Sequence, residues 1–137
     1  MKYILVLLFL VGGCLAAIAQ NPQTTHLHWS VTQLTDLNTN KPQSYTCSFE
    51  TNGLQPINWI QKSGAFITLL SVEATSGSWT DINNPGVLTY SIQTDDSSGT
   101  LTFERSGSGY NITIDLSLPG GQRLHNRYTV SSVNQIN

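Results

Sequence analysis

The chain has 137 residues and a formal net charge of −2, and charged residues make up 10% of it, against about a quarter in an average globular protein. Nucleic acids and anionic membrane surfaces are bound through clusters of Lys and Arg, so this composition argues against both classes of partner. Most of the polarity comes instead from uncharged Ser, Thr, Asn and Gln side chains.

Residues 1–19 have the pattern of a secretory signal peptide. Lys2 supplies a positive charge, residues 3–11 are almost wholly apolar, and Ala17-Ile18-Ala19 offers small residues for cleavage before Gln20. The apolar run is too short to predict a transmembrane segment. An alternative lies at Gly12-Gly13-Cys14, which resembles a bacterial lipoprotein cleavage box with Cys14 as the lipidated residue. The sequence therefore predicts a secreted, periplasmic or extracellular protein, or one anchored by lipid at Cys14.

Residues 20–137 are predicted to form a single all-β domain, because apolar and polar residues alternate with a period of two along most of this range. The cleanest run covers residues 110–118, where Tyr110, Ile112 and Ile114 share one strand face with the two leucines that follow. Further runs with the same alternation begin near residues 27, 45, 88, 101 and 124, and residues 65–75 form a long run rich in branched side chains.

Turn-forming residues separate these runs, at about ten-residue intervals in the second half of the chain, and this spacing is typical of consecutive hairpins. The predicted fold is an antiparallel meander of about eight strands, which forms either a small barrel or a two-sheet sandwich. Residues 55–61 are ambiguous. Pro56 is compatible with an edge strand, which we favour, and with the first turn of a short helix.

Cys47 is the one cysteine outside the predicted signal peptide, so no disulfide can form within residues 20–137. It alternates with Tyr45 and Phe49, and we therefore expect a small buried side chain rather than a reactive thiol.

Two strands carry most of the imidazole and guanidinium groups. His26 and His28 share one face of the first strand, and Arg123, His125 and Arg127 share one face of the last. If the sheet closes, these strands become neighbours, and the five side chains could form one outward patch. Such a patch could bind an anionic glycan, or its three histidines could hold zinc. The alternative is a solvent-exposed polar face without a ligand, and the strand register decides between them.

A second set of candidate ligand-binding residues, Trp79, Asp81, Asn83 and Asn84, lies in a loop. An exposed Trp79 beside amides and a carboxylate could bind a sugar, whereas a buried Trp79 would plug the core while Asp81 and Asn83 cap the turn. Gly77-Ser78-Trp79 matches the Gly-x-Trp triplet of lipocalins, but lies mid-chain rather than at the first strand, so we assign no family from it.

No motif for nucleophilic catalysis, zinc-dependent hydrolysis or phosphate binding is found. No catalytic residue or cofactor is therefore predicted. The leading hypothesis is a non-enzymatic binding module for a small apolar ligand, with Trp29 and Trp59 lining the interior, or for a glycan stacked on Trp79. The second is a structural or adhesive protein with a protein partner, which could pair at an edge near Pro56. The third is a histidine-rich metal-binding protein or enzyme.

Overall fold

The computed structural model describes residues 20–107 and 109–137. The predicted signal peptide and Cys14 lie outside these residues. Eight strands follow one another in chain order, joined by short turns. They are β1 (His26–Asp36), β2 (Lys41–Asn52), β3 (Ile57–Gln61), β4 (Phe66–Ser78), β5 (Gly86–Gln93), β6 (Ser98–Ser106), β7 (Gly109–Ser117) and β8 (Arg123–Gln135).

The eight strands form an antiparallel meander, and β8 pairs back onto β1 to close a barrel. The predicted all-β meander is therefore confirmed, and the barrel rather than the sandwich is the observed form. Residues 57–61 form a strand, as favoured, although β3 pairs on both sides and is not a sheet edge. Among the residues described, no helix is long and apolar enough to cross a membrane.

Alternation places one set of apolar side chains inside the barrel, as the sequence predicts. β1 presents Leu27, Trp29 and Val31 inward, and β7 presents Ile112, Ile114 and Leu116. An eight-stranded barrel is narrow enough for its own side chains to fill it. Cys47 is buried among them, as expected.

Aromatic rings run along the barrel axis and fill most of this interior. Trp29 contacts Phe103, with ring centroids 4.8 Å apart. Phe103 lies edge-on to Phe49 at 6.3 Å, and Phe49 stacks on Trp59 at 5.8 Å. Trp29, Phe103 and Phe49 are fully buried, whereas Trp59 is partly exposed. The two ends of the barrel therefore differ, and we call them the plugged end, where β4 leads into β5, and the open end, where β3 leads into β4.

Candidate functional site: the open end of the barrel

The plugged end is closed by Trp79, whose ring is 2% exposed and lies 6.0 Å from that of Trp29. Its indole N–H donates to the carbonyl oxygens of Asp81 (2.8 Å) and Asn84 (2.9 Å). The Asp81 carboxylate in turn accepts from the backbone N–H of Asn83 at 2.9 Å. An exposed sugar-stacking Trp79 is therefore not found. The ring plugs the core because its N–H is satisfied by its own loop and its faces are covered by aromatic neighbours.

The plug is tied to the rest of the barrel through Ile82, which is also buried. Its backbone N–H donates to the carbonyl oxygen of Gln20 at 2.8 Å. Its carbonyl oxygen accepts from Arg105 at 3.1 Å and from the Tyr110 hydroxyl at 3.0 Å. Arg105 and the loop that carries Asp81 and Asn83 thus serve to hold this end shut.

The predicted patch of His26, His28, Arg123, His125 and Arg127 is not formed. β1 and β8 are neighbours, as expected, but they run antiparallel, so the start of β1 lies beside the end of β8. Ile136 donates its backbone N–H to the His26 carbonyl at the start of β1, whereas Leu37, just past the end of β1 and eleven residues further along the chain, donates to the His125 carbonyl. At about 3.3 Å per residue, roughly 35 Å of strand separates His26 from His125, and about 23 Å separates His28 from Arg127, which pairs with Thr35.

Each group instead has partners of its own. Near the plugged end, His28 Nδ1 lies 3.3 Å from a carboxylate oxygen of Glu50. Near the open end, Arg123 Nε donates to Asp115 at 2.7 Å, and this guanidinium holds the pKa of the Asp115 carboxyl below its usual value. His125 lies directly opposite Asp115, and Arg127 opposite Thr113. Within residues 20–107 and 109–137, no three His, Cys, Asp or Glu side chains come close enough to hold a metal ion.

The open end contains a cleft of ≈ 320 Å³, near the lower limit for small-molecule sites. Its floor and walls are apolar and come from β3, β4, the end of β7 and the start of β8. Leu70 and Leu116 are buried at its base. The side chains around it are Trp59, Thr68, Leu70, Thr94, Asp95, Asp96, Ser97, Leu116, Leu118 and Leu124.

Trp59 is the polar group that distinguishes this cleft. Its Nε1 atom is buried and makes no hydrogen bond of standard geometry among the residues described. Burial raises the pKa of the Cys47 thiol to about 11, and a weak hydrogen bond from the Trp59 indole opposes this rise. A buried N–H without a well-formed hydrogen bond costs about 1–3 kcal/mol, so an acceptor that reached Nε1 from the cleft would relieve that cost.

The rim of the cleft is a short ordered turn between β5 and β6. The backbone N–H of Thr94 donates to the Ser97 carbonyl oxygen at 2.8 Å, and the backbone N–H of Ser97 donates to the Thr94 hydroxyl oxygen at 3.1 Å. Asp96 accepts from the Ser97 hydroxyl at 3.1 Å. Asp95 also lines the cleft, so two carboxylates stand beside an apolar floor. This arrangement can bind a molecule with an apolar body and a cationic or hydroxylated head.

Sequence reasoning assigned Trp59 to the interior but did not identify the cleft. Its leucines look like ordinary core positions in the alternation, and the rim residues look like an ordinary turn. The cleft lies where β5 ends at Gln93 opposite Ser71, so that residues Phe66–Leu70 of β4 extend past it and the wall is uneven at this end. Comparison with protein-family models, with curated proteins and with solved structures returned no match.

Proposed function

We propose that this chain is a non-enzymatic binding module of the cell exterior, and that its open end receives a small amphipathic ligand. The observation that carries the proposal is the cleft itself, where the Trp59 indole, whose N–H has only a weak contact with Cys47, borders an apolar floor and an acidic rim. The predicted signal peptide supports the location.

The lining defines the class of ligand. Leu70, Leu116 and Leu124 favour a short aliphatic or aromatic body, since burial of apolar surface provides most of the affinity in such sites. The Trp59 N–H favours an acceptor atom. Asp95 and Asp96 favour an ammonium or hydroxyl head and disfavour a carboxylate.

Binding without catalysis is supported by the residues present. Histidine, cysteine and lysine are common bases and nucleophiles in enzymes. None of these three residue types is among the ten residues around the cleft, which include two aspartates. A glycan site on the plug loop has less support, because the faces of Trp79 are covered.

The test is isothermal titration of residues 20–137 with octylammonium, octanol and octanoate, which share one body and differ in the head. We expect octylammonium and octanol to bind, and octanoate to bind about tenfold more weakly or not at all. Leu118→Asp places a charge in the apolar lining and should abolish binding of octanol, whose uncharged head gains no attraction from it. Val87→Asp is the matched control, because Val87 is an exposed apolar residue near the plugged end.

Two results would contradict the proposal. One is the absence of binding by all three amphiphiles, and the other is equal binding to the folded Leu118→Asp variant. Circular dichroism of both variants establishes that each is folded before the titrations are compared.

A further inference from the structure

β4 pairs with different neighbours along its two halves. Residues Phe66–Leu70 pair with β3, and residues Ser71–Ser78 pair with β5. β5 ends at Gln93, opposite Ser71, and the chain then turns away through Thr94. The side of Phe66–Leu70 that faces β5 therefore has no strand partner within the part of the chain that the structure describes. We call this segment the free β4 edge.

The free β4 edge has little of the usual protection against pairing with another chain, apart from the Lys62 ammonium, which lies 4.7 Å over the Phe66 ring at its start. Exposed edges generally carry charged residues, proline or bulges. Here the outward positions are Ile67 and Leu69, which are 62% and 56% exposed, and none of the residues from Phe66 to Leu70 is charged. Apolar side chains at alternate positions on an open edge are what an added strand packs beside.

A groove of ≈ 700 Å³ runs along this edge, and its charged side chains are acidic. Glu73 and Asp95 lie in its lining, which includes no lysine or arginine. Asp96 is the next residue on the same turn. The groove and the cleft share Thr68, Thr94 and Asp95, so they meet at the corner of the open end.

We propose that the free β4 edge binds an extended, basic segment of a partner protein by strand addition. Main-chain hydrogen bonds would extend the ladder, and alternate apolar side chains of the partner would lie beside Ile67 and Leu69. Lysine or arginine residues flanking that segment would meet Glu73 and Asp95. This site goes beyond the small-ligand cleft, because it uses the outer face and the backbone of β4 rather than the barrel interior.

The test uses residues 20–137 and a synthetic peptide that alternates valine with threonine and has lysine at both ends. Hydrogen exchange, followed by NMR, should show new protection of amides within Phe66–Leu70 when the peptide is added. The double variant Ile67→Lys, Leu69→Lys should weaken peptide binding about tenfold or more. Both side chains are exposed, so the fold should be kept. Val87→Lys, a change at another exposed apolar position, should leave the affinity unchanged.

A peptide with glutamate ends tests the charge argument, and it should bind more weakly than the lysine form. Trp59→Phe should not alter peptide affinity, which separates this site from the small-ligand cleft. The proposal is overturned if the peptide gives no protection at Phe66–Leu70, or if the lysine double variant binds as well as the parent. It is also overturned if sedimentation shows that the free protein dimerises and that the lysine double variant does not, because the occupant of the edge is then a second copy.

Discussion

The two ends of the barrel use the same residue type in opposite ways. At the plugged end, the Trp79 N–H has two carbonyl acceptors and the ring is enclosed by the core. At the open end, Trp59 stacks on Phe49, but its buried N–H has only a weak contact with the Cys47 thiol among the described residues, and its ring borders a cleft. The comparison suggests different roles for the two ends. A hydrogen-bonded indole N–H stabilises the fold, whereas an indole N–H without a well-formed hydrogen bond gains from an acceptor on a ligand.

The largest expected effect tests the plug directly. Trp79→Ala removes a fully buried ring and leaves a cavity beside Trp29, which should cost roughly 3–5 kcal/mol of unfolding free energy. Trp59→Ala should cost clearly less, because its ring is partly exposed and forms no hydrogen bond. Urea unfolding of both variants measures the difference. Equal losses at the two positions would show that the ends are energetically alike.

Alkaline pH provides a test of the half of the barrel nearer the open end, where Cys47 lies beside Trp59. Burial raises the thiol pKa from its ordinary value of 9.0 to about 11. Above pH 9 the unfolded chain loses this proton while the folded chain keeps it, so stability falls as pH rises. The contribution is fully present below pH 9 and is lost by about pH 11, a decrease of about 2–3 kcal/mol.

Cys47→Ala should remove this part of the pH dependence. We expect the difference in unfolding free energy between pH 8.5 and pH 10.5 to be smaller in the variant than in the parent. Burial also raises the pKa of Tyr90, to about 12, and that of Tyr128, so both proteins should still lose some stability at the higher pH. An identical pH slope in the two proteins would contradict the assignment to Cys47.

A glycine beside the plug gives the next test. A Cβ atom at Gly86 would lie 2.2 Å from Cδ1 of Trp79, so the ring and the backbone need the absence of a side chain there. Gly86→Ala should cost about 1–3 kcal/mol through overpacking. Gly109→Ala is the matched control, since a Cβ atom there meets nothing within 4 Å. Thermal unfolding compares the two, and equal changes would argue against a close-packed plug.

Most of the fold could be predicted from the sequence, but little of the candidate site could. Alternation identified the inward residues, as in β7, and the turn spacing gave the meander. Alternation defines which face a residue occupies but not which residue stands beside it. The His26 and His125 patch failed for that reason, since closure was expected but the antiparallel direction places the two residues at opposite ends of β1. The cleft and the free β4 edge depend on strand stagger and on where β5 ends, which no local pattern records.

The smallest expected effects come from a comparison of two indole N–H donors inside the barrel, those of Trp29 and Trp59. Trp29 donates its N–H to the Thr51 hydroxyl at 3.0 Å, and both groups are buried. Thr51→Val keeps the side-chain shape but leaves that N–H without an acceptor, which should cost about 1–3 kcal/mol. Trp59→Phe removes a donor whose contact with Cys47 is weak and keeps a ring to stack on Phe49, so the unfolding free energy should change by less than about 0.5 kcal/mol. Octanol affinity should respond in the opposite sense, falling in Trp59→Phe and staying constant in Thr51→Val. If Trp59→Phe proved as costly to the fold as Thr51→Val, the Trp59 N–H would have a structural partner and would not be available to a ligand.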